Sequence, residues 1–182
     1  MHVVFLPTIT SAVYSNIKQE SLHPLSVSCN PQGRTLSFFR RQRMILLTNQ
    51  QNESKTILGF DIGGTKCAAI LGTWCNQQVT ILDKRHCETD HTRTAEDMLK
   101  KLFLLAEEMD LSDISAVGFS CGGPLDASRG IIMSPPNLPG WDRLPVTAMA
   151  QERFDCPAYL ENDANACALA EWRAGAGRGC TN

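Results

Sequence analysis

Residues 56–73 read TILGFDIGGTKCAAILGT, two apolar runs joined by a short link that contains paired glycines. Short runs rich in Ile, Leu and Phe and bounded by turn formers are strand signals, and so tight a link makes the two runs antiparallel neighbours. A third run, QVTILD at 78–83, follows closely, so this part of the chain opens as a three-stranded meander.

Working outward, the pattern changes period. Thr94 precedes AEDMLKKLFLLAEEM, in which Leu99, Leu102, Phe103, Ala106 and Met109 recur at helical spacing, while Glu96 and Asp97 sit in the first turn where the helix dipole favours acids. ISAVGFS at 114–120 reads as a buried strand, PVTAMAQERF at 145–154 as a short helix with Pro145 near its start, and PAYL at 157–160 as a further strand. A last helix begins directly after Asp163 and runs to about Trp172. Three strands, then helix, strand, helix, strand, helix, make an α/β fold: a mixed sheet with a β-meander edge, continued by parallel strands through crossover helices.

Composition is that of a soluble globular chain, with 43% hydrophobic residues over 182 positions and a formal net charge of -2. No apolar run reaches the roughly 18 residues a membrane helix needs, and the charge balance leaves no nucleic-acid footprint. The eight cysteines form no CxxC pair and mostly lie inside apolar patterns, which fits reduced thiols better than a disulfide framework. His2, His23, His86 and His91 fall in no zinc-ligand spacing with them.

The chain divides near residue 55. Before it, Pro7, Pro24, Pro31 and Gly33 break every candidate element, and six basic residues against two acidic give a net +4; afterwards 11 basic against 17 acidic give −6. Residues 1–55 read as a poorly structured leader, without the charged start of a signal peptide, and 56–182 as the folded domain. FFRRQR at 38–43 is a short basic cluster, read as a solvated stretch, and Met44 is an alternative first residue.

Four stretches carry possible chemistry. DIGGTK at 61–66 is not a Walker loop, which needs GxxxxGK before Ser or Thr and a helix. Gly63 and Gly64 nevertheless remove side chains that would keep phosphate oxygens from backbone N–H groups, and Thr65 and Lys66 add donors. Asp61 would repel phosphate unless a cation lay between them, which points to Mg²⁺ held through water. The alternative is a hairpin turn that merely needs positive φ. SCGGPLD at 120–126 exposes backbone at the C-terminal end of a buried strand, where ligands bind in open α/β sheets, so Gly122 and Gly123 either admit a substrate or make a turn.

IIMSPPNLPGWDRLP at 131–145 is stiffened by proline and would hold Asn137, both donor and acceptor, toward a hydroxyl-rich ligand, with Trp141 as a lid packed on the domain. In LENDANACALAEW, Asn162 and Asp163 are preferred helix caps, and a carboxylate at a strand's C-terminal end could also take a proton from a hydroxyl nucleophile.

In this order DIGGTK, GFSCGGPLD, NLPGW and ENDANACALAEW resemble the ROK family of sugar kinases and sugar-responsive repressors, over about Ile57 to Asn182. The resemblance implies a hexokinase/actin-like (ribonuclease H-like) N-terminal domain of a two-domain, ATP-dependent kinase acting on the primary hydroxyl of a hexose or N-acylhexosamine. It implies that Asp61, Gly63, Gly64, Thr65 and Lys66 form the first phosphate loop, that Gly123, Asn137 and Asn162 approach the sugar, and that Asp163 is the catalytic base. It further implies ATP and Mg²⁺ as cofactors, a cytoplasmic location and a homodimer for the full-length protein, with no membrane or nucleic-acid partner. The second phosphate loop, the family's zinc site and the adenosine pocket lie in none of the 182 residues, so the chain is expected to stop before the second domain. A sugar-sensing regulator is the alternative, which the Pro-broken start does not furnish with a helix-turn-helix.

Overall fold

The structure is a computed structural model that describes residues 54–76 and 78–180. The expected leader up to residue 53, its basic cluster and the alternative start at Met44 lie outside the described residues. Lys55, assigned to the leader, is instead the first residue of β1 (Lys55–Ile62).

β1, β2 (Lys66–Cys75) and β3 (Gln78–Glu88) form the meander, followed by α1 (Ala95–Glu107) and β4 (Ile114–Cys121). A small hairpin of two two-residue strands, β5 (Leu125–Asp126) with β6 (Ile131–Ile132), leads to α2 (Val146–Phe154), β7 (Ala158–Asn162) and α3 (Asp163–Ala174). The main sheet has the order β3-β2-β1-β4-β7. β1–β2 and β2–β3 are antiparallel; β1–β4 and β4–β7 are parallel, as helical crossovers require.

The core lies between one sheet face and helices α1 and α2. Thr94 caps α1, its Oγ1 accepting from the Asp97 N–H at 3.1 Å, and Met98, Leu99, Leu102, Phe103 and Ala106 turn inward. Phe60 of β1 stacks on its register neighbour Phe119 of β4 with centroids 5.1 Å apart, and also meets Phe103 of α1 at 5.4 Å and Phe154 of α2 at 6.1 Å. Phe103 and Phe154 meet edge to face at 5.1 Å, so four rings lock both helices to the middle of the sheet.

Two elements depart from the sequence reading. β3 runs on to Glu88, five residues beyond the apolar run, because its outer part is an exposed edge where ladder hydrogen bonds to β2, not burial, decide the conformation. The stretch after β4 is more ordered than a loop. Ile132 exchanges backbone hydrogen bonds with Leu144, Ser134 N–H donates to Trp141 O, and Ile132, Leu138, Trp141 and Leu144 are buried. Trp141 is thus an anchor in the core.

Among the described residues Cys67 and Cys121 are buried, Cys180 is exposed, the other cysteines are intermediate, and all are free thiols. No helix among the described residues is long and apolar enough to cross a membrane.

Candidate active site

Ile62, Cys121 and Asn162 share one register level, so β1, β4 and β7 end together and the loops that leave them meet above the same edge. That edge is where a ligand would find exposed backbone and helix N-termini in such a sheet.

The first of these loops is the turn after β1. Gly63 N–H donates to Lys66 O at 3.2 Å, which closes the turn. Neither Gly63 nor Gly64 has a positive φ, so a hairpin conformation that only glycine tolerates does not explain them. Close approach does: a Cβ on Gly63 would lie 2.7 Å from Lys66 O, and one on Gly64 would lie 2.5 Å from Asn137 O. The N–H groups of Gly64 and Thr65 are taken by no acceptor among the described residues. On the far side Thr89, just beyond β3, holds the turn, its Oγ1 donating to Gly63 O at 2.7 Å and its N–H to Thr65 O at 3.0 Å. Thr65 and Lys66 are exposed.

Asp61, two residues before the turn, is partly buried between β2 and β4. Burial, and then the charge of Asp163, push its carboxyl up from 3.8 to about 6, opposed by Lys84. The same acids, after burial itself, help to push the Cys121 thiol up to about 12, so the thiol under the site stays protonated.

The second group gathers over the glycines that follow β4. A Cβ on Gly122 would lie 3.8 Å from both Asn137 Oδ1 and Asp163 Oδ2, and one on Gly123 would lie 3.6 Å from Asn162 Nδ2. The bare backbone of this glycine pair is therefore the floor on which Asn137, Asn162 and Asp163 converge. Asn137 is exposed at the tip of its loop, whose two flanks are pinned by the buried Pro135 and Leu138. Asn162 is the cap of α3: its Oδ1 accepts from Ala164 N–H at 3.1 Å and Asn165 N–H at 3.4 Å, which leaves Nδ2 facing Gly123.

Asp163 is the first residue of α3. Its Oδ1 accepts from the Ala164 N–H at 2.8 Å while Oδ2 faces Gly122, so one oxygen is anchored and the other presented. Glu161 steadies this corner, Oε1 accepting from Asn162 N–H at 2.9 Å and Asn165 Nδ2 at 3.0 Å.

The ten candidate residues named from the sequence, Gly122 among them, thus lie at one sheet edge, and direct approaches link Gly64 with Asn137, Asn137 and Asp163 with Gly122, and Asn162 with Gly123. Thr89 and Glu161 join them. Thr89 had no signal in the sequence, because its partners are about 25 positions away.

A carboxylate oxygen and amide groups around a bare floor, beside a turn with unclaimed N–H donors, can orient a polyol and receive a proton next to a phosphate-binding loop. The family model "ROK family" matches residues 57–182. The chain is 33% identical to the glucokinase of Thermotoga maritima over 68% of its own length and 38% of that protein. It is 25% identical to the xylose repressor of Caldicellulosiruptor bescii, over 91% of its length and 41% of the repressor. Among solved structures it superposes on the ROK family glucokinase of Streptomyces griseus, solved with glucose and AMPPNP, with a TM-score of 0.56 and 35% identity, covering 68% of this chain and 38% of that one. The chain thus spans well under half the length of these relatives. With its four motifs assembled at one edge of a mixed sheet, this chain belongs to the ROK family.

Proposed function

We propose that the protein of which this chain carries the first lobe transfers the γ-phosphoryl group of ATP to the primary hydroxyl of a hexose or N-acylhexosamine. The observation that carries this reading is the meeting of Asp163 Oδ2 and the Asn137 side chain over Gly122, with the turn of Gly63 and Gly64 pressed against the same Asn137. A proton acceptor, a hydroxyl-orienting amide and a phosphate loop are what phosphoryl transfer to an alcohol requires side by side.

In this reading Asn137 and Asn162 Nδ2 orient the sugar on the Gly122–Gly123 floor, and Asp163 Oδ2 takes the proton of the attacking hydroxyl. Asp163 Oδ1 stays on the Ala164 N–H, so the carboxylate does not reorient during transfer. The N–H groups of Gly64 and Thr65, with the Thr65 hydroxyl and the Lys66 ammonium, receive phosphate oxygens. The site suits a hard cation. Burial, and then the charge of Asp163, raise the Asp61 carboxyl against the opposing charge of Lys84, so a cation beside these two acids would ease the cost of ionising both. Mg²⁺ is commonly held by one or two carboxylates together with water and substrate phosphates, the part these acids would play. When bound, Mg²⁺ neutralises charge on the transferring phosphoryl group. The free thiols fit a reducing, cytoplasmic setting.

The test is Asp163→Asn in a protein that includes the part matched to the remainder of the glucokinases. Loss of a general base lowers kcat by about 10²–10⁴-fold while KM for the sugar moves little. Near-normal turnover would remove Asp163 from the chemistry. The likeness to xylose repressors gives a second reading, a sugar-responsive regulator that uses the same floor without phosphoryl transfer. Sugar-modulated operator binding, with no sugar phosphate formed from ATP, would establish it.

A further inference from the structure

We infer that Thr89 is a positioning residue for the phosphate loop, aiming the N–H donors of Gly64 and Thr65 toward the cleft. This rests on the phosphate-loop reading above. Thr89 stands between β3 and α1, outside the four motifs, yet it grips the turn at two points: Oγ1 on Gly63 O at 2.7 Å and N–H on Thr65 O at 3.0 Å.

The consequence follows from peptide geometry. The carbonyl of Gly63 and the N–H of Gly64 belong to one planar trans unit and point in opposite directions. Holding Gly63 O on Thr89 therefore turns the Gly64 N–H away from Thr89 and the edge strand it follows. Holding Thr65 O fixes the next peptide but one. Between the two anchored peptides lies only the Gly64–Thr65 peptide, and the N–H groups of Gly64 and Thr65 are taken by no acceptor among the described residues.

The grip is built rather than incidental. Cys67, buried at the start of β2, lies with Sγ 3.3 Å from Thr89 Oγ1 and donates a long hydrogen bond of 3.6 Å to the same Gly63 O. Gly63 N–H is already used on Lys66 O. Every polar group of Gly63 is thereby fixed, and the turn cannot rotate without breaking the Thr89 bond. On the other side Gly64 has no room beside Asn137, so the turn is held between Thr89 and the Asn137 loop, and Thr89 governs the direction of its N–H groups.

The experiment uses this 182-residue chain, ¹⁵N-labelled, with inorganic tripolyphosphate and Mg²⁺ as the probe and the Gly64 and Thr65 amide resonances as the readout. Thr89→Val keeps the volume and loses the hydroxyl; Thr89→Ser keeps the hydroxyl. The unaltered chain should shift both amides saturably, Thr89→Val should raise the apparent Kd about tenfold, and Thr89→Ser should restore it to within about twofold. A glucose titration followed at the Asn137 side-chain amide should give the same midpoint in all three, which a general loss of structure would not. Equal tripolyphosphate Kd values in the unaltered chain and Thr89→Val would overturn the role of Thr89 alone. Absence of shifts at Gly64 and Thr65 in the unaltered chain would overturn the phosphate-loop reading itself.

Discussion

Asp61 shows how one residue can trade stability for a charged site. Its folded carboxyl holds a proton up to about pH 6, against 3.8 ordinarily, so between these values the folded chain binds more protons than the unfolded one. The stability that goes with this proton is full below 3.8 and is lost as pH rises to about 6. At pH 7.5 Asp61→Asn should therefore stabilise the chain, by on the order of 2 kcal/mol once partial exposure is discounted. Below pH 4 the gain should vanish; urea unfolding at the two pH values reads it. A stability gain of equal size at both would show that repacking, rather than charge, is responsible. Gly64→Ala is the steric counterpart. Its Cβ would sit 2.5 Å from Asn137 O, and backbone yields poorly, so the loops must part. A loss of about 1–3 kcal/mol is expected, together with weaker binding of both sugar and phosphate; a loss confined to one ligand would show that the two loops are not coupled through this contact.

At the scale of elements, the packing of rings outweighs the ion pairs. Phe60 is fully buried and touches three other rings from β4, α1 and α2. Phe60→Ala should cost about 3–5 kcal/mol in denaturant unfolding. The paired Glu107 and Arg153 also join α1 to α2, yet both are substantially exposed. Glu107→Ala should cost less than about 1 kcal/mol, because water competes for both charges. A larger effect for Glu107 than for Phe60 would reverse this account of what holds the helices. The elements were largely legible. TILGFDI, AEDMLKKLFLLAEEM and ISAVGFS each carry a period that one secondary structure satisfies, and Thr94 marks its helix start by chemistry alone. The continuation of β3 through Lys84, Arg85 and His86 was not legible, since an edge strand is decided by its ladder to β2. Nor was the order in the proline-rich stretch, which depends on Ile132 finding Leu144 twelve residues on.

At the scale of the molecule, the chain matches 38% of the length of the Thermotoga maritima glucokinase, and on the proposed reading the remainder would form a second lobe that closes over the site. A closed site excludes water and aligns the reactants, effects that together supply several powers of ten in rate. The 182-residue chain alone is expected to bind a hexose by calorimetry and to transfer phosphate at least about 10³-fold more slowly than a form extended to the length of its relatives. Equal rates in the two would place the whole ATP site within this chain.

The sequence by itself determined the α/β class, the meander opening into parallel strands, and the family, because local periods and four ordered motifs are written in contiguous residues. It also placed Asn162 and Asp163 at a helix start. It left each motif with two readings, turn or phosphate loop, turn or sugar floor, cap or base. Only the tertiary structure decided that the glycines of the first turn serve close approach rather than positive φ, and that Asp163 anchors one oxygen on the backbone and presents the other over Gly122. Only it revealed Thr89. The physical reason is range: capping and amphipathic burial act within a few residues, whereas the aim of a carboxylate or a peptide N–H is set by groups that meet only when β1, β4 and β7 end at one level.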